Sequence, residues 1–250
     1  MKVSVCIDMM FSHIDFYDRL DKVREFGFDA AEFWFWRGRD IERIKNTPVS
    51  IFNLDSAEKE LSYDLSRGIL NSGRADDFIK ALNESIPVYK ALNARGLIVL
   101  IGENAAYSEE NVLLCLNAAI PIIEKENVNL LIEPLNAVDR KGYSMPYAKP
   151  IFSLLRKLNC KNVKMLYDIY HQNMTGDFSL DEIRENIDII GHFHVADVPG
   201  RHEPGTGNVD YVSILREINK LDYDGFIGLE YRATKPENET FGFLDEVKNV

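Results

Sequence analysis

Residues 96–126 read GLIVLIGENAAYSEENVLLCLNAAIPIIEKE, and this segment joins a short apolar run to a longer stretch of helical period. The run over residues 96–100 has the length and the aliphatic content of a buried strand. Residues 108–126 place apolar side chains at helical spacing, which predicts an amphipathic helix. A strand followed by a helix is the repeating unit of parallel α/β sheets, so this segment predicts one βα unit.

The same pattern of strand and helix recurs along the whole chain. Predicted strands cover residues 3–7, 30–35, 49–53, 96–100, 129–133, 163–168, 189–196 and 226–230. Predicted helices include residues 15–26, 76–92, 108–126, 148–158, 180–186 and 211–221. Eight strands alternating with helices predict a closed barrel of the α/β class, the (β/α)8 or TIM barrel, as a single domain over residues 1–250. The long polar segment 55–73 is predicted to form a lid or an irregular helix.

The composition disfavours several classes of protein. The chain has 250 residues, of which 46% are hydrophobic and 28% charged, as in a folded globular domain. Its net charge of −11 disfavours nucleic acid, and its opening apolar stretch is far shorter than the roughly 20 residues of a membrane-spanning helix. The three cysteines are widely spaced, which favours reduced thiols. We therefore expect a cytoplasmic protein that binds neither nucleic acid nor membranes.

The predicted strands end in polar residues, where a TIM barrel carries its active site. The residues at or near these carboxyl ends are Asp8, Asn53, Glu133, Asp168, His194 and Glu230. Burying several acids would cost several kcal/mol each unless a positive charge compensates them. A divalent cation is the simplest compensation, although any single one of these acids could equally be a solvated loop residue or a helix cap.

Four of these side chains form a mixed oxygen and nitrogen donor set on the last four strands. They are Glu133, Asp168, His194 and Glu230. Three carboxylates and an imidazole suit Mn²⁺, Mg²⁺, Co²⁺ or Zn²⁺, with positions left open for a chelating substrate. His192 lies two residues before His194, and therefore on the same face of the strand, where we expect a supporting or core histidine one layer deeper.

Other residues near the strand ends have competing interpretations. His171 either touches substrate or orients a ligand, or it is a helix-start or core histidine. Arg201 and Glu203 either touch substrate or are exposed charges in a turn. The run Phe33-Trp-Phe-Trp36 has three possible roles: an apolar wall over the substrate, a contact with another subunit, or packing between the barrel and its helices. Residues 205–208, Gly-Thr-Gly-Asn, are predicted to form a turn rather than a phosphate-binding loop.

Four motifs resemble the hydroxypyruvate isomerase family. They are IEPLN at 132–136, YDIYHQ at 167–172, GHFHVADVPGRHEP at 191–204 and GLEY at 228–231. This family belongs to the xylose isomerase-like TIM barrels, beside ketose 3-epimerases of the tagatose type. The first half of the chain agrees in its barrel pattern and in Glu32 and Asn53 near strand ends. One position departs, because the family typically carries glutamine where this chain has His194, and the epimerases carry histidine there.

The resemblance implies a set of site residues. Glu133 and Glu230 would bind the metal and also act as the paired acid and base. Asp168 and His194 would complete the set of metal ligands. The resemblance also implies substrate-binding residues, which are His171, Arg201, Glu203 and Asn53. Arg201 would pair with a substrate carboxylate through its planar guanidinium.

The expected function is metal-dependent isomerisation of a small hydroxy-ketone, keto acid or ketose. The reaction implied by the resemblance is of the aldose–ketose type, with proton transfer through an enediolate between two glutamates. A ketose 3-epimerase, an inosose-type dehydratase and a non-catalytic binding barrel are the alternatives, and a homo-oligomer is left open. An endonuclease-like relative would need a basic groove, which the net charge of −11 disfavours.

Overall fold

Eight parallel strands close into a barrel in the computed structural model, which describes residues 1–71 and 75–248. The strands are β1 (Lys2–Cys6), β2 (Ala30–Phe33), β3 (Val49–Asn53), β4 (Gly96–Leu100), β5 (Leu130–Glu133), β6 (Val163–Asp168), β7 (Ile190–Val195) and β8 (Phe226–Leu229). Each strand pairs with the next, and β8 pairs with β1. The prediction of a (β/α)8 barrel is therefore confirmed.

Helices connect the strands and form the outer layer of the barrel. They are α1 (Phe16–Glu25), α2 (Ile41–Ile44), α3 (Lys59–Leu65), α4 (Ala75–Ala91), α5 (Glu109–Glu126), α6 (Ala148–Leu158), α7 (Ile169–Thr175), α8 (Leu180–Asn186), α9 (Tyr211–Asn219) and α10 (Gly242–Lys248). At the start of α5, the Ser108 side chain accepts a hydrogen bond from the Asn111 backbone N–H. Within residues 1–71 and 75–248, no helix is long and apolar enough to cross a membrane.

The strands are apolar because both of their faces are covered. All residues of β2, β4 and β5 are buried, since inner side chains fill the barrel and outer ones pack against helices. The rings of Phe33 and Phe52 stack between β2 and β3 with centroids 5.3 Å apart. β2 ends two residues earlier than predicted, because the backbone N–H of Trp34 turns to donate to the carboxylate of Asp8 at 2.7 Å.

The polar segment predicted to be a lid or an irregular helix contains α3 and a following turn. Its residues 72–73 lie outside the described residues. The backbone N–H groups of Ile69 and Leu70 donate to the carbonyl oxygens of Leu100 and Ile101, at 2.9 Å each. These hydrogen bonds fix the turn to the carboxyl end of β4, beside the mouth of the barrel.

Gly68 lets this turn approach β4 closely, and replacing it should destabilise the fold. Its φ is +132°, and a Cβ at this position would lie 2.3 Å from the backbone nitrogen of Gly102. We expect Gly68→Ala to lower the free energy of unfolding by about 3 kcal/mol, measured by urea denaturation. Gly27→Ala is the matched control, because Gly27 also has a positive φ but has open space around it, and it should lose about 1 kcal/mol. Equal losses at the two positions would contradict this explanation.

Candidate active site

Four side chains meet where the last four strands end. Glu133 and Asp168 are the final residues of β5 and β6, His194 lies in β7, and Glu230 directly follows β8. The pairing register sets Asp168 beside His194, because parallel strands bring their carboxyl ends to one level. One donor atom from each of the four lies within 4.8 Å of the others, and all four residues are buried. We call these four residues the acidic cluster.

Two buried atoms of the acidic cluster have no hydrogen-bond partner among the described residues. They are Nδ1 of His194 and Oε1 of Glu133, which lie 3.4 Å apart. The same Nδ1 lies 3.2 Å from Oε2 of Glu230. An unpaired buried polar atom costs about 1–3 kcal/mol, and a cation bound between these atoms would remove that cost. The donor set therefore fits a divalent metal ion with oxygen and nitrogen ligands.

Arg201 brings a positive charge to the acidic cluster. Its guanidinium pairs with the Glu230 carboxylate and lies 3.7 Å from Oδ2 of Asp168. Burial favours the neutral acid, but Arg201 and His194 hold the pKa of Glu230 well below its usual range. Burial raises the pKa of Asp168 to about 7, although Arg201 opposes this shift. Part of the cost of burying these acids is therefore left uncompensated by the protein, which is consistent with a cation site.

A buried carboxylate shapes the loop that carries Arg201. Asp197 accepts hydrogen bonds from four backbone N–H groups of this loop, those of Val198, Gly205, Gly207 and Val209, at 2.8, 2.8, 2.8 and 3.1 Å. The amides of the glycine-containing segment are thus used inside a turn and are not presented to a phosphate. Arg201 itself has a left-handed backbone with φ of +56°, which fits its position at the bend of the loop.

A cavity of about 310 Å³ adjoins the acidic cluster. Five of the residues that the sequence predicts to form the active site line this cavity: Asn53, Glu133, His171, Arg201 and Glu230. The remainder of its wall includes Trp34, Phe35, Ile98, Leu100 and Leu135, which supply apolar surface. Its size and mixed polarity suit a small polar molecule.

Glu203 lies apart from this cavity. Its carboxylate oxygens accept hydrogen bonds from the backbone N–H and the hydroxyl of Thr234, at 3.0 and 2.5 Å. Thr234 lies in the loop after β8, so Glu203 joins the loops that follow β7 and β8. Glu203 is therefore not among the residues that line this cavity.

His171 stands at the cavity wall as a neutral imidazole. Its Nδ1 accepts a hydrogen bond from the Asn136 backbone N–H at 3.1 Å, so its proton resides on Nε2, which lies 3.4 Å from Oδ2 of Asp168. Burial, together with the nearby charge of Arg201, holds the pKa of His171 well below its usual value. It can therefore donate a hydrogen bond from Nε2 at neutral pH without carrying charge.

Sequence reasoning assigned no site role to Arg140 or Glu32 and left the role of Trp34 open. The Trp34 indole N–H donates to Oε1 of Glu230 at 3.0 Å. Arg140 lines the cavity, and its guanidinium is held by the carboxylate of Glu103. Glu32 could have been found as an acid inside an apolar strand, whereas Arg140 lies in a loop, where no periodic pattern indicates which way a side chain points.

Comparison with known proteins identifies similar chains over the full barrel. A family model described as the xylose isomerase-like TIM barrel matches residues 20–247. Hydroxypyruvate isomerase of Escherichia coli (strain K12) is 32% identical over 253 residues, covering 96% of this chain and 95% of the relative. The 2-oxo-tetronate isomerase of Cupriavidus necator is 27% identical over 255 residues, covering 95% of each chain. The crystal structure of an AP endonuclease, family 2, from Brucella melitensis superposes with a TM-score of 0.88 at 24% identity over 98% of both chains, which shows a shared fold.

Proposed function

Because the chain belongs to the xylose isomerase-like TIM barrel family and is an isomerase, we propose that it isomerises a small hydroxy keto acid by metal-dependent proton transfer. Hydroxypyruvate and 2-oxo-tetronates, the compounds named for its relatives, define the proposed substrate class. The observation that carries the proposal is that Glu133 and Glu230 each take part in two features of the site. Both belong to the acidic cluster, and both line the cavity beside it.

The acidic cluster would hold the metal ion. Its four ligands are Glu133, Asp168, His194 and Glu230, and Mn²⁺, Mg²⁺, Co²⁺ or Zn²⁺ all accept such a set. A bound divalent cation supplies Lewis acidity, which lowers the pKa of a C–H next to a carbonyl and stabilises the negative charge left after deprotonation. The unpaired Nδ1 of His194 and Oε1 of Glu133 support this assignment.

The two glutamates would move the proton. In the isomerisation of a hydroxy-ketone, one carboxylate removes a proton from the carbon that bears the hydroxyl. The other carboxylic acid returns a proton to the former carbonyl carbon, while the two oxygens exchange the roles of hydroxyl and carbonyl through an enediolate. Glu133 and Glu230 are suited to this exchange because they come from β5 and β8 and reach the cavity from different sides of the barrel.

Cationic and hydrogen-bonding side chains of the cavity would orient the substrate. Arg201 and Arg140 are the guanidinium groups of its described wall, and a keto acid offers a carboxylate for such a group. His171 would donate from Nε2 to a substrate oxygen, and Asn53 offers an amide at the end of β3. For Glu203 we propose a supporting role, because its hydrogen bonds to Thr234 hold the loop after β8.

Product analysis tests this function against its alternatives. We expect the metal-loaded enzyme to convert hydroxypyruvate or a 2-oxo-tetronate to its isomer, detected as new resonances by NMR, and to convert neutral ketohexoses more slowly. A ketose 3-epimerase would instead yield a C3 epimer from a neutral ketose. An inosose-type dehydratase would release water and form a dicarbonyl product. Either of those results, with no isomer formed from the keto acids, would contradict the proposal.

Arg201→Met should impair the use of a keto acid. The change removes a charged hydrogen-bond donor from the cavity wall and releases the Glu230 carboxylate, so kcat/KM for the keto acid should fall by about 100-fold. Steady-state kinetics at saturating metal measures the effect. Arg184→Met is the matched control, because Arg184 pairs with Asp181 and Glu217 on the surface and does not line the cavity. A fall of less than threefold for Arg201→Met would remove Arg201 from the substrate site.

The proposed cellular location is the cytoplasm. Cys6, Cys115 and Cys160 are all free thiols in the structure. Reduced cysteines are typical of that compartment, because glutathione and thioredoxin keep thiols reduced there.

A further inference from the structure

A second group of buried polar side chains lies directly behind His194. Glu32, in β2, places its Oε2 at 2.9 Å from Nε2 of His194. Both side chains are at most 3% exposed, so no solvent competes for this contact. The two ring nitrogens of His194 therefore face opposite ways, with Nε2 toward Glu32 and Nδ1 toward the acidic cluster.

The other carboxylate oxygen of Glu32 is fixed by neighbouring strands. Oε1 accepts hydrogen bonds from the hydroxyls of Ser4 in β1 and Ser50 in β3, the latter at 3.1 Å. It also lies 2.8 Å from Nε2 of His192. Because the two serine hydroxyls hold Oε1, the carboxylate has one orientation, and Oε2 is the oxygen left for His194.

β8 closes the space behind this contact. A Cβ at Gly228 would lie 2.5 Å from Oε1 of Glu32, 2.7 Å from Nε2 of His192 and 2.7 Å from Cδ2 of His194. Glycine at this position therefore lets the three side chains pack against the strand. A 180° flip of the His194 ring would put the carbon Cε1 beside Glu32, so Nε2 is the ring nitrogen that can contact this carboxylate.

We propose that Glu32 is a positioning residue that fixes His194 with its proton on Nε2 and its Nδ1 lone pair toward the metal position. A carboxylate only accepts hydrogen bonds, so the nitrogen facing Glu32 must be a donor. With a cation bound among the carboxylates of the acidic cluster, the imidazole is neutral, and Nδ1, which faces the cluster, is the nitrogen that offers its lone pair. Such a carboxylate behind a histidine orients the ring and raises its basicity as a ligand. The inference rests on the metal binding contained in the proposed function.

The wild-type protein gives a direct test of the tautomer. Zn²⁺ is the probe, because it is diamagnetic and accepts this donor set. In the Zn²⁺-loaded protein, ¹H–¹⁵N correlation of the His194 ring should show the proton on Nε2, in slow exchange with water because the site is buried. A proton on Nδ1, or none on Nε2, would overturn the proposal whatever the enzyme catalyses.

Metal affinity tests the energetic consequence. Glu32→Gln keeps the shape of the side chain but replaces the charged acceptor with a weaker amide, so Zn²⁺ affinity measured by chelator competition should fall about 10- to 100-fold. Asp55→Asn is the matched control, because Asp55 is a buried carboxylate that binds the backbone N–H groups of Arg37 and Ser56 rather than the acidic cluster. Its Zn²⁺ affinity should stay within threefold of wild type.

The outcomes separate the two claims. Unchanged affinity in Glu32→Gln, with tight Zn²⁺ binding by wild type, would overturn the positioning role and leave the proposed function standing. Failure of the wild-type protein to bind Zn²⁺, Mn²⁺ or Mg²⁺ would overturn both. If Glu32→Gln does not fold, the tautomer measurement on wild type still decides the proposal.

Discussion

Glu230→Gln should lower kcat by about 1,000-fold while the barrel remains folded. The change removes one of the two carboxylates that line the cavity and one of the four ligands of the acidic cluster. It also leaves Arg201 without its closest ion-pair partner, which adds to the disturbance of the site. Steady-state kinetics and the cooperativity of thermal unfolding measure the two effects. Glu133→Gln should behave in the same way, because Glu133 also belongs to the acidic cluster and also lines the cavity.

A surface substitution provides the control for this prediction. Glu109, on α5, pairs with Lys157 on the surface of the barrel, and Glu109→Gln should leave kcat within twofold of wild type. Glu230→Gln that binds metal and keeps kcat within tenfold of wild type would exclude Glu230 as an acid or base. A binding barrel without catalytic activity would show ligand binding that survives this change.

Removal of the metal should abolish turnover and lower the melting temperature by about 10 °C. A ligand present at about 1,000 times its Kd stabilises a folded protein by about 4 kcal/mol, and each kcal/mol shifts the melting temperature of a domain of this size by about 2–4 °C. The physical cause is the burial of three carboxylates within 4.8 Å of one another, which a divalent cation offsets. Differential scanning calorimetry before and after chelation, and after adding the metal back, measures the shift.

Loss of the ligands should remove the effect of the metal on stability. In the double variant Glu133→Gln, Glu230→Gln, added metal should raise the melting temperature by less than 3 °C, because two of four ligands have lost their charge. An enzyme whose activity and melting temperature are both unaffected by chelation would contradict the assignment of the acidic cluster as a metal site.

The barrel could be predicted from the sequence because its pattern repeats. Strands such as Gly96–Leu100 and Val163–Asp168 match the predicted bounds, since a strand buried on both faces appears as a continuous apolar run. The helix Ile169–Thr175 was not predicted, because it follows β6 directly, with no intervening loop of turn residues to mark its start. It begins immediately after Asp168, whose side chain caps it by accepting from the backbone N–H of His171.

The candidate site could be predicted only where the fold places it. Residues at strand ends, such as Glu133 and Asp168, share one level because the strands of a barrel are parallel. The direction of a loop side chain depends on tertiary contacts that a single sequence does not encode locally. Glu203 bonds to Thr234 for this reason, and Arg140 reaches the cavity wall from a loop that the sequence leaves undefined.

Deuterium incorporation from D₂O tests the central claim, metal-dependent proton transfer, most directly. Hydroxypyruvate is incubated in D₂O in four samples: with Mg²⁺-loaded enzyme, with enzyme whose metal has been removed by a chelator, with Glu230→Gln and without enzyme. Proton NMR follows the signal of the hydrogens on the carbon next to the carbonyl. Our account predicts deuterium at that carbon and in the product above the enzyme-free rate with the loaded wild-type enzyme alone. Isomerisation with full retention of protium, or exchange that is equally fast after chelation, would contradict it.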